Sequence, residues 1–110
     1  MSGHSVVSES ALDAEFIHEV SRVIKTLGHP DRLRIVELLE HAPMNVKSLQ
    51  TNLELTQAVT SQHLRQMYNI GIVTSERNGK SVMYRIANPL IYRMLHCLTE
   101  TQRAIKEEQR

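Results

Sequence analysis

Residues 55–86 read LTQAVTSQHLRQMYNIGIVTSERNGKSVMYRI, and this stretch decides the fold. In its first half, one side of the chain is polar and the other carries three residues at helical spacing: Thr60, Leu64 and Met67. Thr56 stands just before them as an N-cap, because its hydroxyl can accept an early backbone N–H of a helix. The pattern therefore predicts a helix from about Gln57 to Tyr68, which we name the reading helix.

The second half of the stretch changes to β-forming residues after Gly71. Runs rich in Ile, Val, Thr and Tyr at 72–75 and 82–86 flank Asn78-Gly79. Asn and Gly both accept the positive φ angles of a tight turn, so the pattern predicts a β-hairpin with its turn at this pair. We name this hairpin the wing.

Helical patterns extend on both sides of this stretch. The further helices are expected over about 11–27, from Pro30 to the Ala42-Pro43 break, briefly through Val46, Leu49 and Leu53, and from Pro89 to about Glu108. A short helix, a turn, the reading helix and a hairpin together form a winged helix-turn-helix, so the fold is expected to be mainly α with a β-hairpin. The domain is predicted to span 11–108, after a flexible segment at 1–10 that is rich in Ser.

The composition supports one small core. The chain has 110 residues, of which 41% are hydrophobic, with one Phe, three Tyr and no Trp. A core of this size gains stability when an oligomer buries further apolar surface, so we expect a dimer.

Several classes of protein are excluded by what the sequence lacks. No apolar run approaches the 18 or more residues of a membrane span, and the first ten residues do not resemble a signal peptide, so a cytoplasmic protein without membrane partners is expected. The single cysteine, Cys97, cannot form an internal disulfide, and a Cys-His zinc signature is missing, so no metal or other cofactor is expected.

The distribution of charge is more informative than the net charge of +1. Residues 57–85 contain four Arg or Lys and one acidic residue, whereas acidic residues outnumber basic ones in 1–56. A basic middle third is compatible with a nucleic-acid partner.

Double-stranded DNA is the partner that this architecture predicts. A helix fits the major groove, where polar side chains on its exposed face can reach base edges and flanking cations can hold phosphates. The expected DNA-binding residues on the reading helix are Gln57, Ala58, Ser61, Gln62, His63 and Arg65, and those on the wing are Arg77 and Lys80. His63 is equally compatible with a packed position at the border of the helix.

Three segments carry a resemblance to a known family. They are 27–35 (LGHPDRLRI), 55–64 (LTQAVTSQHL) and 77–84, and together they resemble the ArsR/SmtB family of bacterial repressors. The resemblance implies a homodimer joined through the first and last helices, which binds an imperfect inverted repeat and leaves it when an inducer binds. It also implies DNA-reading roles for positions 57, 58, 61, 62 and 65, although Thr56 and Thr60 stand where Ser and Val are common in the family.

The inducer site is not evident from the resemblance. The segment 46–50 lacks the cysteines that some family sensors place in the third helix, and Asn88, Leu90, Thr101 and Ala104 replace the zinc ligands that others place on the last helix. The remaining candidates are His18, His96 and Cys97. Cys97 is interpreted either as a small buried hydrophobic residue or as a possible sensor, reactive toward redox or sulfur species or holding a metal or haem. Sensing by two cysteines of one subunit is excluded.

Two other functions are alternatives to the repressor. A winged-helix protein interaction module would use the same surfaces to hold another protein, but the basic middle third favours DNA. An enzyme is not expected, because paired carboxylates, an activated Ser or Cys and a Gly-rich phosphate loop are all missing.

Overall fold

Every helix in residues 11–110, the part of the chain that the computed structural model describes, begins with a side chain that accepts a backbone N–H of the first turn. These N-caps are Asp13, His29, Asn45, Thr56 and Asn88. The helices that follow them are α1 (Ala14–Leu27), α2 (Pro30–His41), α3 (Val46–Leu53), α4 (Gln57–Asn69) and α5 (Pro89–Glu108). The predicted helices are confirmed, and α4 is the reading helix. The segment expected to be flexible, 1–10, lies outside the described residues.

The turn between α3 and α4 depends on an unusual backbone conformation at Glu54. This residue has φ 55° and ψ 44°, in the left-handed region, and its N–H donates to the carbonyl groups of Gln50 and Thr51. Leu55 N–H also donates to the Gln50 carbonyl, at 3.0 Å. These bonds satisfy the free carbonyl groups at the end of α3 and redirect the chain into Thr56, the N-cap of α4.

The wing consists of two antiparallel strands, β1 (Val73–Asn78) and β2 (Ser81–Ile86). The hairpin is confirmed, but its turn lies one residue later than predicted. Asn78 pairs with Ser81, so the two central residues of the turn are Gly79 and Lys80. Gly79 has φ 66° and Lys80 does not have a positive φ, which is the pattern of a type II′ turn with glycine first.

The wing is joined to the helical body by a short third strand segment. Met44, in the loop between α2 and α3, exchanges two backbone hydrogen bonds with Tyr84 of β2, at 3.0 and 2.8 Å. This pairing satisfies backbone groups on the inner edge of β2 and fixes the base of the wing beside the helix-turn-helix.

The core receives residues from every element. Its buried hydrophobic residues are Val23, Leu27, Ile35, Val36, Leu39, Leu49, Leu64, Met67, Ile72, Val73, Ile86, Ile91 and Leu95. Thr60 is a fully buried polar residue, and its hydroxyl donates to the Thr56 carbonyl at 2.8 Å, which allows it to lie in apolar surroundings. The inward side predicted for the reading helix is therefore confirmed.

The first and last helices extend beyond this core. In α1 only Val23 and Leu27 are buried, and in α5 all residues from 96 to 108 are exposed. The Cα radius of gyration is 17.0 Å, compared with about 13 Å for a compact chain of this length. Within residues 11–110, the helices lack the combination of length and hydrophobicity needed to cross a membrane.

Candidate nucleic-acid interface

The reading helix presents two different sides. On its inner side Thr60, Leu64 and Met67 are buried, and the helix packs against α2, α3 and β1. On its outer side Gln57, Ala58, Gln62 and Arg65 are exposed and Ser61 is half-buried. The structure therefore brings these five predicted DNA-binding residues together on one surface, with all but Arg65 in the first half of the helix.

The reason for this orientation lies in the helix-turn-helix itself. Leu49 of α3 is fully buried, as is Leu64 of α4, and the two helices pack on one another. The Thr56 hydroxyl accepts the Val59 N–H at 3.2 Å, which fixes the first turn of α4. Since the inner side is committed to packing, the polar residues of the outer side face away from the domain.

Exposed basic residues occur on both the reading helix and the wing. They are Arg65 on the reading helix and Arg77, Lys80 and Arg85 on the wing, and all four are exposed. None of the ion pairs formed within residues 11–110 involves any of the four. Their charges are therefore available to a polyanion. The predicted Arg77 and Lys80 lie at the end of the wing, Lys80 in the turn and Arg77 on β1 beside it.

His63, the eighth predicted DNA-binding residue, lies apart from this surface. It is 7% exposed, and its Nδ1 accepts a hydrogen bond from Arg32 Nε at 3.0 Å. The His29 ring lies 4.6 Å away, centroid to centroid. Of the two interpretations open from the sequence, the structure favours the packed position at the helix border.

The surroundings of His63 also determine its protonation. Burial is the largest effect and lowers the pKa of His63 below its ordinary value. The neighbouring His29 and Arg32 lower the pKa further, while Asp31 acts in the opposite direction. At neutral pH the ring is therefore uncharged.

Arg32 is a residue whose role sequence reasoning missed. It lies in the first turn of α2, within the segment that carries the family resemblance, but nothing in the local pattern indicated a partner. In the structure its Nη1 donates to the Thr26 carbonyl of α1 at 3.1 Å, in addition to the bond to His63. The helix carries several other charged residues, so the local sequence held no signal that set Arg32 apart.

One group of potential metal-ligating side chains occurs in the described part of the chain. The ligand atoms of His29, Asp31 and His63 lie within 4.8 Å of one another. However, both imidazoles accept an N–H at Nδ1, His29 from Asp31 N and His63 from Arg32 Nε. Each neutral ring then carries its proton on Nε2, and a guanidinium lies beside the group, so these residues do not fit a cation.

The exposure of Cys97 contradicts one of the two interpretations of this residue. The expectation of a buried hydrophobic residue is wrong for the single chain, because Cys97 is exposed on α5. Its Sγ lies 4.0 Å from the Thr101 hydroxyl, which donates to the Cys97 carbonyl at 2.7 Å. His18 and His96, the other sensor candidates, are also exposed.

The sequence matches a known family of regulators. A profile described as "bacterial regulatory protein, arsR family" matches residues 29–75, from the start of α2 into β1. The chain is 34% identical over 80 residues to the biofilm growth-associated repressor of Agrobacterium fabrum, covering 73% of this chain and 68% of the relative. It is 33% identical over 87 residues to the transcriptional repressor PagR of Bacillus anthracis, covering 78% and 87%.

Solved structures show the same fold. The crystal structure of PagR from Bacillus anthracis superposes with a TM-score of 0.70 at 32% identity, covering 78% of this chain and 99% of that one. A homodimeric winged helix-turn-helix DNA-binding domain from Mycobacterium bovis superposes with a TM-score of 0.71 at 26% identity, covering 86% and 87%. These structures and this chain share the helix-turn-helix and the hairpin beside it.

Proposed function

Because the chain belongs to the arsR family of bacterial regulatory proteins, we propose that it is a sequence-specific transcriptional repressor that works on DNA in the cytoplasm as a homodimer. The observation that carries the proposal is the exposed polar outer side of the reading helix, together with exposed wing cations that form no ion pair with any residue of 11–110. The relatives are transcriptional regulators, and two of those compared above are named as repressors.

The reading helix and the wing have different roles in the proposed complex. On the reading helix, Gln57 and Gln62 engage adenine edges in the major groove, Ser61 bonds to either kind of base, and Arg65 takes a guanine or a phosphate. Ala58 leaves room for close approach and offers its methyl group to thymine. Arg77 and Lys80 hold phosphates beside the groove, which adds affinity without reading sequence.

The proposed dimer uses the two helices that extend beyond the core. Ile17 and Ile24 of α1 are seven residues apart and exposed on the same side of the helix, and so are Leu98 and Ile105 of α5. Apolar residues at this spacing are typical of a helix seam that a second helix covers. A two-fold dimer repeats the reading helix, so the operator is expected to be an imperfect inverted repeat.

Release from DNA is the part of the proposal that rests on Cys97. The thiol is exposed on α5, the helix that the proposed dimer places at its interface. A disulfide or persulfide there would change the spacing of the two reading helices. Cys97→Ser is expected to abolish release by an oxidant or a persulfide donor in gel-shift assays, and unchanged release would exclude Cys97 as the sensor.

Two substitutions test sequence-specific binding. Gln62→Ala is expected to weaken operator binding by about 1–3 kcal/mol while leaving binding to random DNA nearly unchanged, because it removes a base contact. Lys80→Ala is expected to weaken binding to all sequences alike and to reduce the salt slope by about one, because it removes a phosphate contact. Fluorescence anisotropy on operator and random duplexes over a salt series measures both effects.

The same measurements separate the repressor from the alternative protein interaction module. A repressor requires affinity for duplex DNA that falls steeply with salt. A module that uses the outer side of the reading helix to hold a protein would bind DNA weakly and without preference. Equal losses from Gln62→Ala on operator and random DNA would contradict base reading by this residue.

A further inference from the structure

The Arg32 side chain connects three helices. Arg32 belongs to α2, yet its Nη1 donates to the Thr26 carbonyl near the end of α1 and its Nε donates to His63 on the inner border of α4. The planar guanidinium fixes the directions of both bonds, which a lysine ammonium cannot do. The side chain therefore links a helix of the proposed dimer interface to the reading helix.

This contact requires one protonation state of His63. Arg32 Nε always carries a hydrogen, so His63 Nδ1 must supply a lone pair, and the neutral ring carries its hydrogen on Nε2. His63 Nε2 is buried and has no hydrogen-bond partner among the described residues. Its distance to Asp31 Oδ2 is 3.7 Å, which is beyond hydrogen-bond range.

A second proton on His63 would make its contact with Arg32 repulsive. Nδ1 would become a donor that faces the Arg32 donor, and two positive charges would lie side by side. The titratable and charged groups that act on the ring are His29, Asp31 and Arg32, all at the start of α2. Of these only Asp31 would favour the charged ring, and it lies on the Nε2 side, away from the Arg32 bond.

We propose that the Arg32–His63 hydrogen bond positions the reading helix for DNA, and that protonation of His63 breaks this bond and weakens operator binding in acid. The inference deepens the proposed function and rests on it, since the readout is DNA binding. Arg32 and His63 act here as positioning residues that do not touch DNA.

Acid is expected to weaken DNA binding because only the neutral ring accepts from Arg32, and the lowered pKa of His63 gives folding stability the same direction of pH dependence. A histidine whose pKa falls on folding stabilises the folded state above its unfolded value of about 6.5. That contribution is lost as the pH falls below this value and through the folded pKa. Protonation of exposed histidines has the opposite effect on DNA binding, because each added positive charge strengthens phosphate contacts.

The experiment compares the pH dependence of operator affinity in three proteins at constant ionic strength. For the wild type we expect the Kd to rise by about tenfold or more between about pH 8 and pH 5. His63→Gln is expected to lack this rise, because the Gln oxygen accepts from Arg32 at every pH. His41→Gln, which removes an exposed histidine from the end of α2, is the matched control and should keep the wild-type rise.

Two measurements made without DNA test the Arg32–His63 contact independently of the proposed function. Nitrogen chemical shifts of the imidazoles should show His63 as the Nε2–H tautomer in the wild type, and Arg32→Lys should shift this population. If the wild type shows no sequence preference at neutral pH, the proposed function fails while the tautomer still tests the contact. If it binds the operator and His63→Gln shows the same acid rise, or if His63 is the Nδ1–H tautomer, the inference is overturned.

Discussion

Ile24→Glu is expected to convert the proposed dimer into monomers and to weaken operator binding by about 10²- to 10⁴-fold. Ile24 is an apolar side chain that is 55% exposed on α1, and the proposed interface would bury it. A carboxylate without a partner is costly to bury, so the interface opens. Each monomer then holds one half-site only, and the gain from binding two linked half-sites is lost.

Light scattering and anisotropy on a full operator and a single half-site measure the two parts of this prediction. Arg22→Glu is the matched control, because Arg22 lies about 160° around α1 from Ile24 at the helical repeat of 100° per residue and is also exposed. It should remain dimeric. An Ile24→Glu protein that stays dimeric and binds the full operator normally would show that α1 does not form the interface.

The parts of the fold that could be predicted are those set by local patterns. The reading helix followed from a Thr cap and residues spaced for one buried side, and both features are present in the structure. The wing followed from two β-rich runs, but its turn was placed one residue early. Asn-Gly satisfies a type I′ turn, whereas the strands here pair through Asn78 and use Gly79 as the first central residue.

The side of α5 that meets the core could not be chosen from periodicity. Apolar residues occur on two adjacent sides of this helix: Leu90, Met94, Leu98 and Ile105 form one stripe, and Ile91 and Leu95 lie beside it. In the structure Ile91 and Leu95 enter the core, while Leu98 and Ile105 remain exposed. A helix that packs on its own domain and on a partner needs apolar residues on both sides, and a single sequence does not distinguish them.

The contact between Arg32 and His63 could not be predicted from the sequence, for a different reason. Arg32 and His63 are 31 positions apart, and no local rule connects a cation at the start of one helix with an imidazole in another. The sequence could place His63 at the border of the reading helix but not decide which way the ring turns. Only the tertiary packing of α2 on α4 brings the two groups within hydrogen-bond distance.

Leu64→Ala is expected to lower the free energy of unfolding by about 2–5 kcal/mol. Leu64 is fully buried in the middle of the reading helix, so the substitution leaves a cavity where α4 packs on its neighbours. Such a loss is a large part of the 5–15 kcal/mol that is usual for a small domain. Denaturant unfolding at one fixed protein concentration measures it, since a dimer's stability depends on concentration.

Val59→Ala on the same helix is the matched control. Because Val59 is partly exposed, its truncation should lower the free energy of unfolding much less than Leu64→Ala does. The comparison with Gln62→Ala separates the two sides of α4. If the inner side stabilises the fold, Leu64→Ala lowers the free energy of unfolding far more than Gln62→Ala does. If the outer side contacts DNA, Gln62→Ala lowers operator affinity without lowering the free energy of unfolding. A Gln62→Ala protein that unfolds as easily as Leu64→Ala would contradict this division, and with it the assignment of α4 as the reading helix.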